Sequence, residues 1–180
     1  LIALIKSKPG EFNVAAGNRG SILHLTAEWL RSATGTKFTL LHYTGGAKAL
    51  PDVLGGRVQA TIDALASMRG AIDGGQLKLL AVTTEKRLHN FPRTPTVAET
   101  LPGFHAMGWM ALMAPPGTPS PVARKISDDL RAVLAGDLGQ RLDELGTYIR
   151  PTTPEQLTAF IQGQQKIWRP VIAKTAKTIN

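Results

Sequence analysis

Short apolar runs alternate with amphipathic stretches along this chain, and glycine-rich turns separate them. Leu1–Lys8 reads as the tail of a helix ending at Pro9-Gly10, and Phe12–Ala15 as a short strand. Gly17-Asn18-Arg19-Gly20 then breaks the pattern, and Ser21 is a good N-cap for a helix reaching Ser32. Leu23, Ala27 and Leu30 recur there at helical spacing, and Gly35 supplies the stop. Phe38–His42 is a second strand, followed by Thr44-Gly45-Gly46 and a short helix to Leu54. Val58–Ile62 is a third strand and Ala64–Asp73 a helix, while Leu77–Thr83 carries the strongest pattern of a buried strand. Prolines punctuate a long connection from Thr84 to Gly103. Met107–Ala114 reads as a further strand, in which Trp109 is expected to be buried. An amphipathic helix follows, with Val122, Ile126, Leu130 and Leu134 on one face, then a short helix over Leu138–Leu145. Tyr148–Arg150 is a terminal strand candidate, and Thr153, Pro154 and Gln156 form a capping-box signature opening the last helix. Alternating β and α units with short turns predict an α/β sheet flanked by helices.

Composition narrows the chemistry. Of 180 residues, 43% are hydrophobic and 19% charged, enough apolar content for a real core. The absence of cysteine excludes a disulfide scaffold, a thiolate metal site and a cysteine nucleophile. Four scattered histidines form no HxH or HxxxH pair, so a histidine-only zinc site is not expected. No metal and no cofactor are expected. No apolar run approaches the length of a membrane span, so no membrane insertion is expected. The net charge of +8 raises the question of nucleic acid, but the 21 basic residues are dispersed among 13 acidic ones. Two tyrosines and five phenylalanines are too few for a base-stacking platform. Dispersed positive charge suits small anions better than a phosphate backbone, and no nucleic-acid partner is expected.

Two strand-to-helix turns are candidate anion seats. At Gly17–Ser21 the first helical amides have no carbonyl to bind and carry the positive end of the helix dipole, so Gly20 and Ser21 form one seat. His24 lies one turn further on the same side. Neither a Walker sequence nor GxGxxG is present, which removes nucleotides as the indicated ligands. Serine catalysis through Ser21 and His24 is not expected: no nucleophile elbow is present, and the N-cap duty occupies the serine oxygen. The second turn, His42-Tyr43-Thr44-Gly45-Gly46-Ala47, offers small residues at Gly45, Gly46 and Ala47, and Tyr43 as a wall or hydroxyl donor. Asp63, at the end of the third strand, either accepts a hydrogen bond from a ligand or caps the next helix. Each turn also has a plain structural reading, as a tight loop with its cap.

Several segments resemble the substrate-binding receptors of tripartite tricarboxylate transporters, the Bug-type periplasmic proteins. They are Lys8-Pro9-Gly10, Gly20–Leu25, Tyr43–Ala47, Asp52–Val58, Leu80–Thr83 with Lys86-Arg87, Pro95–Glu99, Pro102–Phe104 before Trp109, and Ala114–Pro119, in the family's order over essentially the whole chain. The resemblance implies a type II periplasmic-binding-protein fold, no enzymatic activity, a periplasmic location, and capture of a small carboxylate for the transporter's membrane components. Di- or tricarboxylates, acidic amino acids and aromatic acids are the implied ligands. It places Gly20, Ser21, His24, Tyr43, Gly45, Gly46, Ala47 and Asp63 near that ligand. Thr44 stands where the family usually has a lysine or arginine, and Lys48 where it has a proline. The resemblance further implies that an N-terminal part is missing, with residues 1–107 as the second lobe and 108–180 as the returning strand and helices that complete the first. Helices at Val122–Leu134 and Glu155–Trp168 would then show apolar faces to water, and these are expected to be buried by self-association, by strand exchange between copies, or by folding back onto the second lobe. The alternative is the effector-sensing domain of a transcription regulator, which shares the two-lobed architecture. Pro95–Glu99 and Ala114–Pro119 favour the receptor.

Overall fold

A computed structural model describes residues 1–179 of the chain, with side chains through Thr175. It divides into two compact units, residues 1–109 with 175–179 and residues 110–174.

The first unit is an α/β layer structure. Helix α1 (Ile2–Ser7) precedes β1 (Asn13–Ala16), α2 (Ile22–Thr34), β2 (Thr39–His42), α3 (Gly46–Leu54), β3 (Ala60–Thr61) and α4 (Leu65–Asp73). The three strands are parallel in the order β2-β1-β3, with Ala16 opposite His42 and Ala15 opposite Thr61. Successive strand residues point to opposite faces, and the core divides accordingly. Val14 packs with Ile5, Phe12 and Phe38 on one face, while Ala15 packs with Ala49 and Val58 on the other. Because all three strands run the same way, the turns that lead into α2, α3 and α4 lie at one edge of the sheet.

Local signals place the helix ends. Ser21 caps α2 through its side-chain oxygen, and Gly35 ends that helix in the left-handed region at φ 62°. Helix α2 buries five consecutive residues, His24 through Glu28, so polar groups are buried in it alongside Leu25 and Ala27. Trp29 stacks on Phe104 at 4.5 Å between ring centres.

Three expected strands are not formed. Leu77–Thr83 is extended but makes a single parallel bridge, Val82 to Thr96, and Leu80 is 47% exposed. Met107–Ala114 forms no strand ladder among the described residues, and its Trp109 is 38% exposed instead of buried. Tyr148–Arg150 is likewise outside any ladder. Apolar composition supports burial in a sheet only where another strand lies alongside, and among the described residues these three places have at most the one bridge from Val82 to Thr96.

A capping box holds the proline-punctuated connection. Thr96 Oγ1 accepts from the Glu99 amide at 3.2 Å, and Glu99 Oε1 accepts from the Thr96 amide at 2.9 Å, closing the short 3₁₀ turn Val97–Glu99. Arg87 reaches across with a bidentate pair to the same carboxylate, at 2.8 and 2.5 Å, and donates to the Pro92 carbonyl. The Arg87 guanidinium and the Thr96 amide hold the Glu99 carboxyl down at about 2. A carboxyl depressed on folding stabilises above its ordinary value near 4.5, and that contribution is lost as pH falls from there towards 2. Thermal melts of the chain and of Glu99→Gln should therefore differ most above pH 5 and converge as pH falls towards 2. The gap should also narrow in high salt, because the pair is solvent-exposed. A gap independent of pH would remove the carboxylate from the account.

The second unit is helical. It holds α5 (Ser120–Leu134), α6 (Asp137–Glu144) and most of α7 (Pro154–Ile179). The capping box at the start of α7 forms as the spacing predicts, with Thr153 Oγ1 accepting from Gln156 N–H at 3.2 Å and Gln156 Oε1 accepting from Thr153 N–H at 2.9 Å. Helix α5 buries no residue, and Val122, Ile126 and Leu130 along its apolar face are exposed. Among the described residues, no helix is long and apolar enough to cross a membrane.

Candidate functional site

The sheet edge brings the β1–α2, β2–α3 and β3–α4 turns together, in the region outside strand carboxyl ends where parallel α/β sheets take ligands. At the start of α2 the hydrogen bonds can be followed amide by amide. Ser21 N–H goes to Asn18 O, Gly20 N–H to His24 Nδ1, His24 N–H to Ser21 Oγ, and Leu25 N–H to Ser21 O. The amides of Ile22 and Leu23 have no acceptor among the described residues. They are the donors left for an anion, and sequence reasoning did not single them out. Gly20 sits at φ 79°, a conformation a side chain would strain, and this aims the turn.

Ser21 and His24 are held by the protein itself. The serine oxygen accepts the His24 amide at 3.3 Å, and His24 is buried with Nδ1 3.0 Å from Gly20 N. Neither arrangement activates a nucleophile, since the imidazole nitrogen that could take a proton from a hydroxyl already accepts a backbone N–H. Burial, followed by the neighbouring His42, lowers the His24 pKa, with Glu28 acting in the opposite sense. A cleft of about 310 Å³ lies beside it, lined by Arg19, His24, Glu28, Arg31, Thr39 and His42.

At the second turn, Gly45 precedes α3, and the amides of Gly46 and Ala47 have no acceptor among the described residues. Tyr43 turns its hydroxyl away from these amides, to Asp52 Oδ2 at 2.7 Å in the body of α3, and Asp52 is also paired with Arg57. That bond raises the Tyr43 pKa and lowers that of Asp52. Tyr43 thus ties the turn to its own helix. Asp63 does two things at once. Its Oδ1 accepts the Ala64 amide at 2.7 Å at the entrance to α4, and its Oδ2 lies against Gly46, where a Cβ would come within 2.4 Å. Burial pushes the Asp63 carboxyl up, with the Ala64 and Ser67 hydrogen bonds opposing. The second and third turns therefore meet through a carboxylate placed beside an α3 glycine. The site consists of backbone donors framed by small residues, with polar side chains that brace the turns.

The sequence pattern of the tripartite tricarboxylate transporter family receptors matches residues 1–176. Among curated relatives, Protein BugT of Bordetella pertussis is 34% identical over 182 residues, covering 97% of this chain and 54% of its own. A UPF0065 protein from the tcbD-tcbE intergenic region of Pseudomonas sp. is 29% identical, over 97% of this chain and 53% of its own. Among solved structures, one from R. palustris with adipate superimposes with a TM-score of 0.86 at 30% identity, covering 96% of this chain and 58% of its own. MatC of Rhodopseudomonas palustris, solved with bound malate, gives 0.78 at 26% identity, with 95% and 60% covered. The chain spans about half the length of the curated relatives it matches. Its α/β unit resembles one lobe of the type II periplasmic-binding-protein fold seen in these relatives. The match along nearly the whole chain identifies it: it belongs to the tripartite tricarboxylate transporter receptor family.

Proposed function

We propose that this chain is the carboxylate-holding part of a periplasmic solute receptor, delivering a small diacid to the membrane components of a tripartite tricarboxylate transporter. The observation that carries the reading is the gathering of helix N-termini at one sheet edge, with the Ile22, Leu23, Gly46 and Ala47 amides left without acceptors among the described residues. Such amides, with the helix dipoles behind them, favour carboxylates over neutral groups. Relatives solved with adipate and malate make a diacid the first ligand to try. In this reading residues 1–107 are the second lobe and residues 108–180 complete the first. Gly20, Ser21, His24, Tyr43, Gly45, Gly46, Ala47 and Asp63 form or brace the ligand side of the cleft.

Thermal melts with adipate, malate and their diamides test it. A diacid at a hundredfold excess over its Kd should stabilise the chain by about 2.7 kcal/mol, and the diamide should not. Equal shifts from acid and amide would remove the helix-terminus mechanism.

A further inference from the structure

Two histidines bind the backbone at the two ends of the β1–α2 turn. Gly17 O can only accept, so His42 Nδ1, 2.9 Å away, must carry a proton and donate. Gly20 N–H can only donate, so His24 Nδ1, 3.0 Å away, must be bare and accept. The rings touch edge to face, with centres 4.8 Å apart. The remaining proton of a neutral His24 sits on Nε2, which faces Glu28 Oε1 at 3.7 Å. Glu28 is buried and fixed by Arg31, whose Nη2 donates to both carboxylate oxygens at 2.7 and 2.6 Å. We propose that His24 and His42 are positioning residues that clasp the Gly17–Ser21 turn, and that the anion seat at α2 holds its shape only while His24 Nδ1 carries no proton. The seat itself rests on the receptor reading above; the clasp does not.

The two bonds respond differently to acid. Protonating His42 leaves a donor facing Gly17 O, and that bond persists. Protonating His24 at Nδ1 sets a second donor against Gly20 N–H, and that bond is lost. The charged and titratable groups facing His24 are Glu28 and Arg31 on α2, His42 on β2 and Arg19 in the turn. Of these only Glu28 favours the cation, and its charge is already matched by Arg31. Burial acts in the same direction as the geometry and keeps the imidazole neutral. With the His24 pKa below its ordinary 6.5, the stabilisation is complete above that value and disappears as pH falls through the lowered one.

The Gly20 amide reports the clasp with no ligand present. In the unmodified chain its hydrogen-exchange protection should hold at pH 8 and fall as pH is lowered below 6.5. His24→Asn, whose amide oxygen can accept but does not titrate, should keep a protection that does not change over this range. His24→Leu should show none at any pH. In parallel, adipate affinity of the unmodified chain should weaken about fivefold on acidification, the effect of one lost hydrogen bond. His24→Asn should lack that component, since the ligand's own titration is common to both. Gly20 protection that ignores pH in the unmodified chain, or a His24→Asn profile that follows it, would overturn the clasp. Gly20 titrating as expected in a chain that binds no diacid would sink the receptor reading and leave the clasp standing.

Discussion

Phe38→Ala is expected to cost about 3–5 kcal/mol, the usual range for removing a buried aromatic ring from a core. Phe38 is 5% exposed and packs with Ile5, Phe12 and Val14, with Leu40, Ala60 and Ile62 closing around them. This cluster joins α1 to one face of a sheet only three strands wide, so the cavity cannot collapse without moving strands. Phe38→Leu keeps most of the volume and should cost about 1.5 kcal/mol or less. Urea melts of the three chains would measure this. A loss below about 1 kcal/mol for the alanine variant would show that the face collapses freely and that the cluster is not rigid.

Gly46→Ala comes next in size and bears directly on the site. An added methyl would lie 2.4 Å from Asp63 Oδ2 and 2.6 Å from Met68 Cε. The methionine end can move, but the aspartate is short and already bonded to the Ala64 amide. Forcing it away should cost about 1–3 kcal/mol, against at most about 1 kcal/mol gained from the better helix propensity of alanine. Destabilisation therefore wins. A double-mutant cycle with Asp63→Ala isolates the cause: with the carboxylate removed, most of the Gly46→Ala penalty should vanish. A fully additive cycle would mean that Asp63 and Gly46 do not share this space. Diacid stabilisation should also fall in Gly46→Ala, since the α3 amides and Asp63 would no longer keep their spacing.

How far the chain could be read from its residues depended on the distance over which each signal acts. Ser21, Gly35 and the Thr153–Gln156 pair mark helix ends through bonds spanning a few residues, and they stand where the sequence puts them. Strands need a neighbour. Leu77–Thr83, Met107–Ala114 and Tyr148–Arg150 have strand composition but form no ladder among the described residues, and composition carries no record of that. The site divides in the same way. Helix N-termini at Ser21 and Gly45 were legible from turn chemistry, and Glu28 with Arg31 sits at helical spacing from His24, a signal present but unused. His42 against Gly17, 25 residues apart, and Asp63 against Gly46 depend on strand register. Tyr43 pointing to Asp52 follows from the path of α3, which the turn sequence does not encode.

The extended run from Leu77 to Thr83 also bears on how this protein must be handled. Among the described residues, the amides of Lys78 through Ala81 have no acceptor, so this stretch offers open backbone to any chain that comes alongside. Its composition, Leu-Lys-Leu-Leu-Ala-Val-Thr, is that of segments that stack into fibrils, and Lys78 is the one charge interrupting it. A concentrated stock should therefore stay clear longest at low ionic strength, where Lys78 repels its counterpart on the next molecule. Added salt or acetylation of that lysine would remove the gatekeeper and bring on thioflavin-positive precipitate.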